Sequence, residues 1–176
     1  PIPRAMPTHV NSIVQVASPH DGKFQHEITR KFIGERSLIT PNLIVVGSSV
    51  LNQWVDTIRE FTHLRVFAIG DCHGLKKFYK LYQQDELKDY DIILLKNGKV
   101  TSNFLLDGEK PDRNKNQRSL LSVIYKMTAT KCWSRVVYDD YDTITISPES
   151  PCINALFTIY VSATHKNMLS QRSHFE

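Results

Sequence analysis

The chain has 176 residues, 41% of them hydrophobic and 23% charged, which is enough for one well-buried domain. No apolar run approaches the roughly 18 residues of a membrane-spanning helix, so no membrane partner is expected. Twenty-two Lys and Arg against 18 Asp and Glu leave a formal charge of +4, which suits phosphate-bearing partners as well as a solvated basic surface.

The segment 1–41 is weakly patterned and is expected to be a poorly defined N-terminal segment, either an insertion or the region of a degenerate P-loop. Its start, Pro1 to Pro7, has neither an initiator Met nor the basic-then-apolar pattern of a signal peptide, and reads as an internal cut in a longer chain. An apolar stretch follows at Ile13–Val16, then a segment expected to be a helix, Phe24–Phe32. From residue 42 to 176 the pattern is clearer. Leu43–Val46, Ile92–Leu95, Arg135–Tyr138 and Phe157–Val161 are near-continuous apolar, β-branched runs of strand length. Such runs fit strands buried on both faces, hence a parallel sheet covered by helices. Between them, Val50–Phe61 places Leu51, Trp54, Val55 and Ile58 at helical spacing, which puts Trp54 in the core, and Leu75–Leu87 is a second expected helix. Phe78, Tyr79 and Tyr82 among Lys76, Lys77 and Lys80 read as a core face beside a solvated face. Asp107–Gln117 is polar, contains Gly and Pro, and is expected to be an exposed loop. The fold class is therefore α/β, one domain with a mostly parallel sheet flanked by helices.

Chemistry concentrates at strand ends. Val136-Val137-Tyr138 runs directly into Asp139, Asp140 and Asp142, and ligands of open α/β sheets bind at the carboxyl ends of strands. Nucleotide hydrolysis needs one carboxylate there for magnesium and another near the attacking water, although short acidic clusters also cap strands. The Phe157–Val161 run ends in Ser162-Ala163-Thr164. Leu43–Val46 ends in Gly47-Ser48-Ser49 ahead of a helix, whose free N–H groups and serine hydroxyls suit a phosphate; Ser48 or Ser49 equally suits the N-cap. Ile92–Leu95 leads into Lys96, Lys99 and Thr101. Cys72, Cys132 and Cys152 are odd in number and widely spaced, with no CxxC or HxxxH pair, which argues for reduced intracellular thiols and against zinc.

In order and spacing these segments resemble the first motor lobe of superfamily 2 helicases, over roughly Asn42 to His165. Val136–Asp142 is similar to the Walker B motif, DExD or DExH, with Asp140 where the family has Glu, one methylene longer. Ser162-Ala163-Thr164 resembles motif III; Leu43–Trp54 resembles motif Ia of the Swi/Snf-like branch, and its Val45–Trp54 part also resembles helicases of large DNA viruses; Asp91–Thr101 resembles the strand and loop of motif Ib. The resemblance implies a RecA-like fold, ATP and magnesium as cofactors, and nucleic acid as partner, DNA ahead of RNA. It implies that Asp139 holds magnesium, that Asp140 positions water, and that Ser162, Thr164 and Asp142 couple nucleotide to track. Ser48, Ser49, Lys96 and Thr101 would line the track.

A motor of this type also needs a P-loop, GxxxxGK followed by Ser or Thr. The nearest stretch, Ala17 to Phe24, places Gly22-Lys23 correctly but has Ala17 for the first glycine and Phe24 for the hydroxyl residue. It reads as coincidence, or as a degenerate P-loop, with the true one upstream of Pro1. The second RecA-like lobe would belong to the same parent chain, so this piece alone is expected to be inactive. If the parent is viral, the expected location is the virion, the host cytoplasm or a viral factory. Two rivals remain: a helicase-derived scaffold or transcription-factor subunit that binds nucleic acid without hydrolysis, and a translocating nuclease subunit, for which no nuclease motif is present.

Overall fold

The computed structural model describes residues 9–17, 24–32, 37–101, 117–144 and 153–162. Five parallel strands form the main sheet: β4 (Asn42–Val46), β5 (Val66–Ile69), β6 (Ile92–Lys96), β9 (Cys132–Tyr138) and β10 (Ala155–Tyr160). Their spatial order is β10-β9-β4-β6-β5, and a short strand, β3 (Leu38–Ile39), pairs with the start of β9 at Cys132 and Trp133. Thr40-Pro41 separates β3 from β4; a proline has no N–H to give to a ladder. β4 then takes over the same neighbour, with Leu43, Ile44 and Val45 opposite Val136, Val137 and Tyr138.

Side chains alternate cleanly across this sheet. Leu43, Val45, Ile93, Leu95, Val136 and Tyr138 point to one face, where α2 (Cys72–Gln83) and α3 (Leu120–Met127) cover them through Leu75, Phe78, Leu120 and Ile124. Ile44, Val46, Ile92 and Leu94 point to the other face, under Leu51 and Ile58 of α1 (Leu51–Phe61). Residues such as Leu43, Val45, Ile93 and Leu95 are fully buried, each contributing about 1.5–3 kcal/mol of hydrophobic stabilisation. Two helical layers around a mostly parallel sheet make the α/β arrangement that the apolar runs imply, consistent with a RecA-like domain.

Two expectations about helices are corrected. The segment Phe24–Phe32 is a strand, β2, antiparallel to β1 (His9–Ala17), with Ile13 opposite Ile28. The second expected helix starts earlier and ends earlier than Leu75–Leu87: α2 spans Cys72–Gln83, and Leu87 lies in a separate 3-10 turn, Glu86–Asp89. The early start has a cause, since Asp71 is an N-cap whose Oδ1 accepts the Gly74 N–H at 2.8 Å. Asp71→Ala is expected to cost about 1 kcal/mol, read from the midpoint of a urea titration. On α2, Phe78 is buried, Tyr79 and Tyr82 are half-buried, and Lys76, Lys77 and Lys80 are exposed, so the core reading of its aromatics holds.

Two elements complete the description. β7 (Lys99–Thr101) and β8 (Gln117–Ser119) form a small antiparallel pair beyond the end of β6. The loop expected over Asp107–Gln117 lies outside the described residues except for Gln117, which opens β8. No helix among the described residues is long and apolar enough to cross a membrane. Cys72 is a free, half-buried thiol, and the buried Cys132 thiol donates to Trp133 O at 3.6 Å.

Candidate nucleotide and nucleic-acid edge

The chain leaves β4 toward β5 and β6 on one side, while β9 leads outward to β10 on the other. The carboxyl ends of β4 and β9 therefore flank a topological switch point, where open α/β sheets leave a crevice. Four backbone hydrogen bonds fix this edge. Asp139 N–H donates to Val45 O at 2.9 Å and Asn97 N–H to Val46 O at 2.7 Å. Val161 N–H donates to Tyr138 O and Tyr141 N–H returns to Val161 O, both at 2.9 Å. Along the edge, the expected site residues stand in one spatial row: Ser162 after β10, Asp139 and Asp140 after β9, Ser48 and Ser49 after β4, and Lys96 closing β6.

The carboxylate turn rests on aromatic side chains. Tyr138 stacks on Tyr160 with ring centroids 5.3 Å apart and planes 11° apart, and Tyr141 meets Tyr160 edge-on at 4.6 Å. Tyr138 and Tyr141 are buried, so the turn between them has little freedom. Asp140 occupies that turn in the left-handed region, at φ 56° and ψ 50°, a conformation that Asp tolerates better than most residues. Its carbonyl accepts from both the N–H and the Oγ1 of Thr143 at 2.9 Å. Asp140 is exposed; Asp139 is half-buried.

Asp139 has a partner that the sequence did not announce. Trp54 Nε1 donates to Asp139 Oδ2 at 3.0 Å, and the two side chains line an open groove of about 360 Å³ with Val50, Gln53 and Thr57. Leu51 and Ile58 of α1 are buried as the helical spacing predicts, but Trp54 is only half-buried, so assigning it to the core alone was incomplete. The usable signal was its N–H, which a partly buried indole must satisfy.

No protein family, curated protein or solved structure matches this chain. The site therefore rests on geometry.

The structure separates the remaining candidates. Ser48 and Ser49 lie in an exposed turn, and neither is the N-cap of α1: that position is Val50, with no side-chain cap bond. Thr101 ends β7, on the small β7–β8 pair past the end of the main sheet. Asp142 lies in the 3-10 turn Tyr141–Thr143. Thr164, Gly22 and Lys23 fall outside the described residues. Ala17 closes β1 and Phe24 opens β2, so the described flanks of Gly22-Lys23 are two antiparallel strands. A phosphate-binding loop needs a helix N-terminus after its lysine, and the helix expected there is absent.

Asp139 is chemically suited to magnesium, which prefers oxygen donors and commonly takes one or two protein carboxylates, completing its shell from water and phosphates. Among the described residues there is no cluster of three or more His, Cys, Asp or Glu that would make an all-protein metal cage.

Beyond α1, β10 brings exposed apolar side chains to the same sheet face. Phe157 and Ile159 register with Arg135 and Val137, which puts them on the α1 side, and with Val161 they are 44–54% exposed. Phe157→Ser and Ile159→Ser are each expected to change unfolding free energy by less than about 1 kcal/mol, read by the same urea titration, because much of each side chain already meets water.

Proposed function

We propose that the chain is part of the first RecA-like lobe of a superfamily 2 ATP-dependent helicase or translocase, acting on nucleic acid and on DNA ahead of RNA. The observation that carries this reading is the ordered row Ser162, Asp139-Asp140, Ser48-Ser49, Lys96 along the carboxyl edge of one parallel sheet, at its switch point. In this reading Asp139 holds magnesium and Asp140 orients water. When bound, magnesium would neutralise charge developing on the phosphates. Ser162, with Thr164 and Asp142, links the carboxylate turn to the track, a role supported by the Tyr141–Val161 hydrogen bond immediately before Ser162. Ser48 and Ser49 precede an α1 N-terminus with no side-chain cap, where first-turn N–H groups suit a phosphate. Lys96 extends that surface, with Thr101 further along. The triphosphate cradle and the second lobe would come from other parts of the parent protein.

A second reading, a nucleic-acid-binding scaffold without hydrolysis, draws on the antiparallel strands β1 and β2 that flank Gly22-Lys23 in sequence and on Asp140 in place of a longer carboxylate. ATP hydrolysis by the full-length protein, with and without duplex DNA or RNA, separates the two. The motor reading expects nucleic-acid-stimulated hydrolysis that disappears in Asp139→Asn. Nucleic-acid binding with no hydrolysis by the unaltered protein leaves the scaffold.

A further inference from the structure

Trp54 stands on the first turn of α1, just after the Ser48-Ser49 turn, and reaches across the groove to the end of β9. Its backbone is fixed by its own N–H, which donates to Val50 O at 3.0 Å, and Val50 N–H in turn donates to Gly47 O at 3.3 Å. Val50, Trp54 and Val55 pack on the apolar cluster under α1, so the indole is anchored on one side and polar on the other. An indole N–H donates and cannot accept, so its bond to Oδ2 fixes which carboxylate oxygen faces Trp54 and restricts the rotation of the carboxylate. The groove around the pair is open, and Trp54 and Asp139 meet in its lining.

We propose that Trp54 is the positioning residue of the Asp139 carboxylate, holding it oriented for a divalent cation and linking it through α1 to the Ser48-Ser49 turn. This rests on the assignment of Asp139 as a metal-holding group. Groups that orient a metal-binding carboxylate typically alter metal affinity about 10–100-fold when removed. A bond that only staples α1 to β9 would leave cation affinity unchanged.

The test labels the full-length protein with 5-fluorotryptophan and follows its fluorine NMR spectrum during titration with Mg²⁺, in the presence of a non-hydrolysable ATP analogue. The Trp54 resonance is the one missing from Trp54→Phe. The expected result is a Mg²⁺-dependent shift of that resonance, its loss in Asp139→Asn, and an Mg²⁺ midpoint at least about 10-fold higher in Trp54→Phe, read from the remaining signals. Phe keeps an aromatic ring on the α1 cluster, and a retained unfolding midpoint shows that the variant is folded. If the Trp54 resonance does not respond while Asp139→Asn still abolishes hydrolysis, the positioning role is overturned and the motor stands. If Mg²⁺ perturbs no tryptophan and neither variant affects hydrolysis, both readings fall.

Discussion

Trp133→Ala is expected to lower the unfolding free energy by about 3–5 kcal/mol, the largest stability loss of any single truncation considered for this chain. Trp133 is fully buried and is the largest of the fully buried side chains. Its ring lies nearly parallel to that of Phe78, 6.3 Å away, which joins β9 to α2. Its Nε1 donates at 3.2 Å to Thr128 Oγ1, just after α3, and that hydroxyl donates to Ile124 O at 2.8 Å. Alanine would therefore open a cavity between two helices and the sheet, and also take a partner from a hydroxyl that is itself buried. Trp133→Phe keeps the ring contact but not the N–H, so it should cost less than half as much. Urea titrations of both variants, followed by circular dichroism, check the order. Equal losses would mean that the Thr128 bond dominates and the cavity does not. A stable domain has only about 5–15 kcal/mol in total, so the alanine variant would place the whole site at risk although it touches none of it.

The parts of this fold that were legible in the sequence are those whose environment leaves a one-dimensional trace. β4 and β6 are buried on both faces, so Leu43–Val46 and Ile92–Leu95 are apolar without a break. α1 has one wet face, and its helical period shows it. α3 does carry such a stripe, with Leu120, Leu121, Val123, Ile124 and Met127 buried at helical spacing and Lys126 exposed, but at eight residues it is too short for the period to stand out. β5 is a four-residue edge strand, mostly half-buried, too short and too mixed to stand out. Phe24, Ile28 and Phe32 are spaced four apart, which satisfies a helical period of 3.6 and a strand period of 2 equally. Pairing with β1 decides the matter, and that information lies in another segment. The site divides in the same way. Asp139 and Ser162 were legible because a strand feeds them, whereas the left-handed turn at Asp140 and the indole on Asp139 exist only once β9, β10 and α1 are side by side.

If the proposed motor reading holds, Asp139→Asn in the full-length protein is expected to reduce nucleic-acid-stimulated ATP hydrolysis by at least about 100-fold, the size of loss common when one preorganised electrostatic group is removed from a reaction centre. The amide is the informative substitution. Its oxygen can still accept from Trp54 Nε1, so α1 stays attached to the end of β9, while the charge that would hold magnesium is gone. Unfolding free energy should then move by less than about 1 kcal/mol, which separates lost chemistry from lost structure. The same logic selects Asp140→Asn over Asp140→Ala. At φ 56° an alanine would add about 1–2 kcal/mol of left-handed strain to a turn clamped between Tyr138 and Tyr141, and any loss of rate would have two causes. With asparagine at both positions, a fall in rate in both variants at unchanged stability supports two carboxylates with distinct roles. A fall in Asp139→Asn alone would mean that Asp140, exposed and one methylene shorter than the expected glutamate, does not reach the water. Unchanged hydrolysis in Asp139→Asn would remove the reason for reading this edge as a nucleotide site at all.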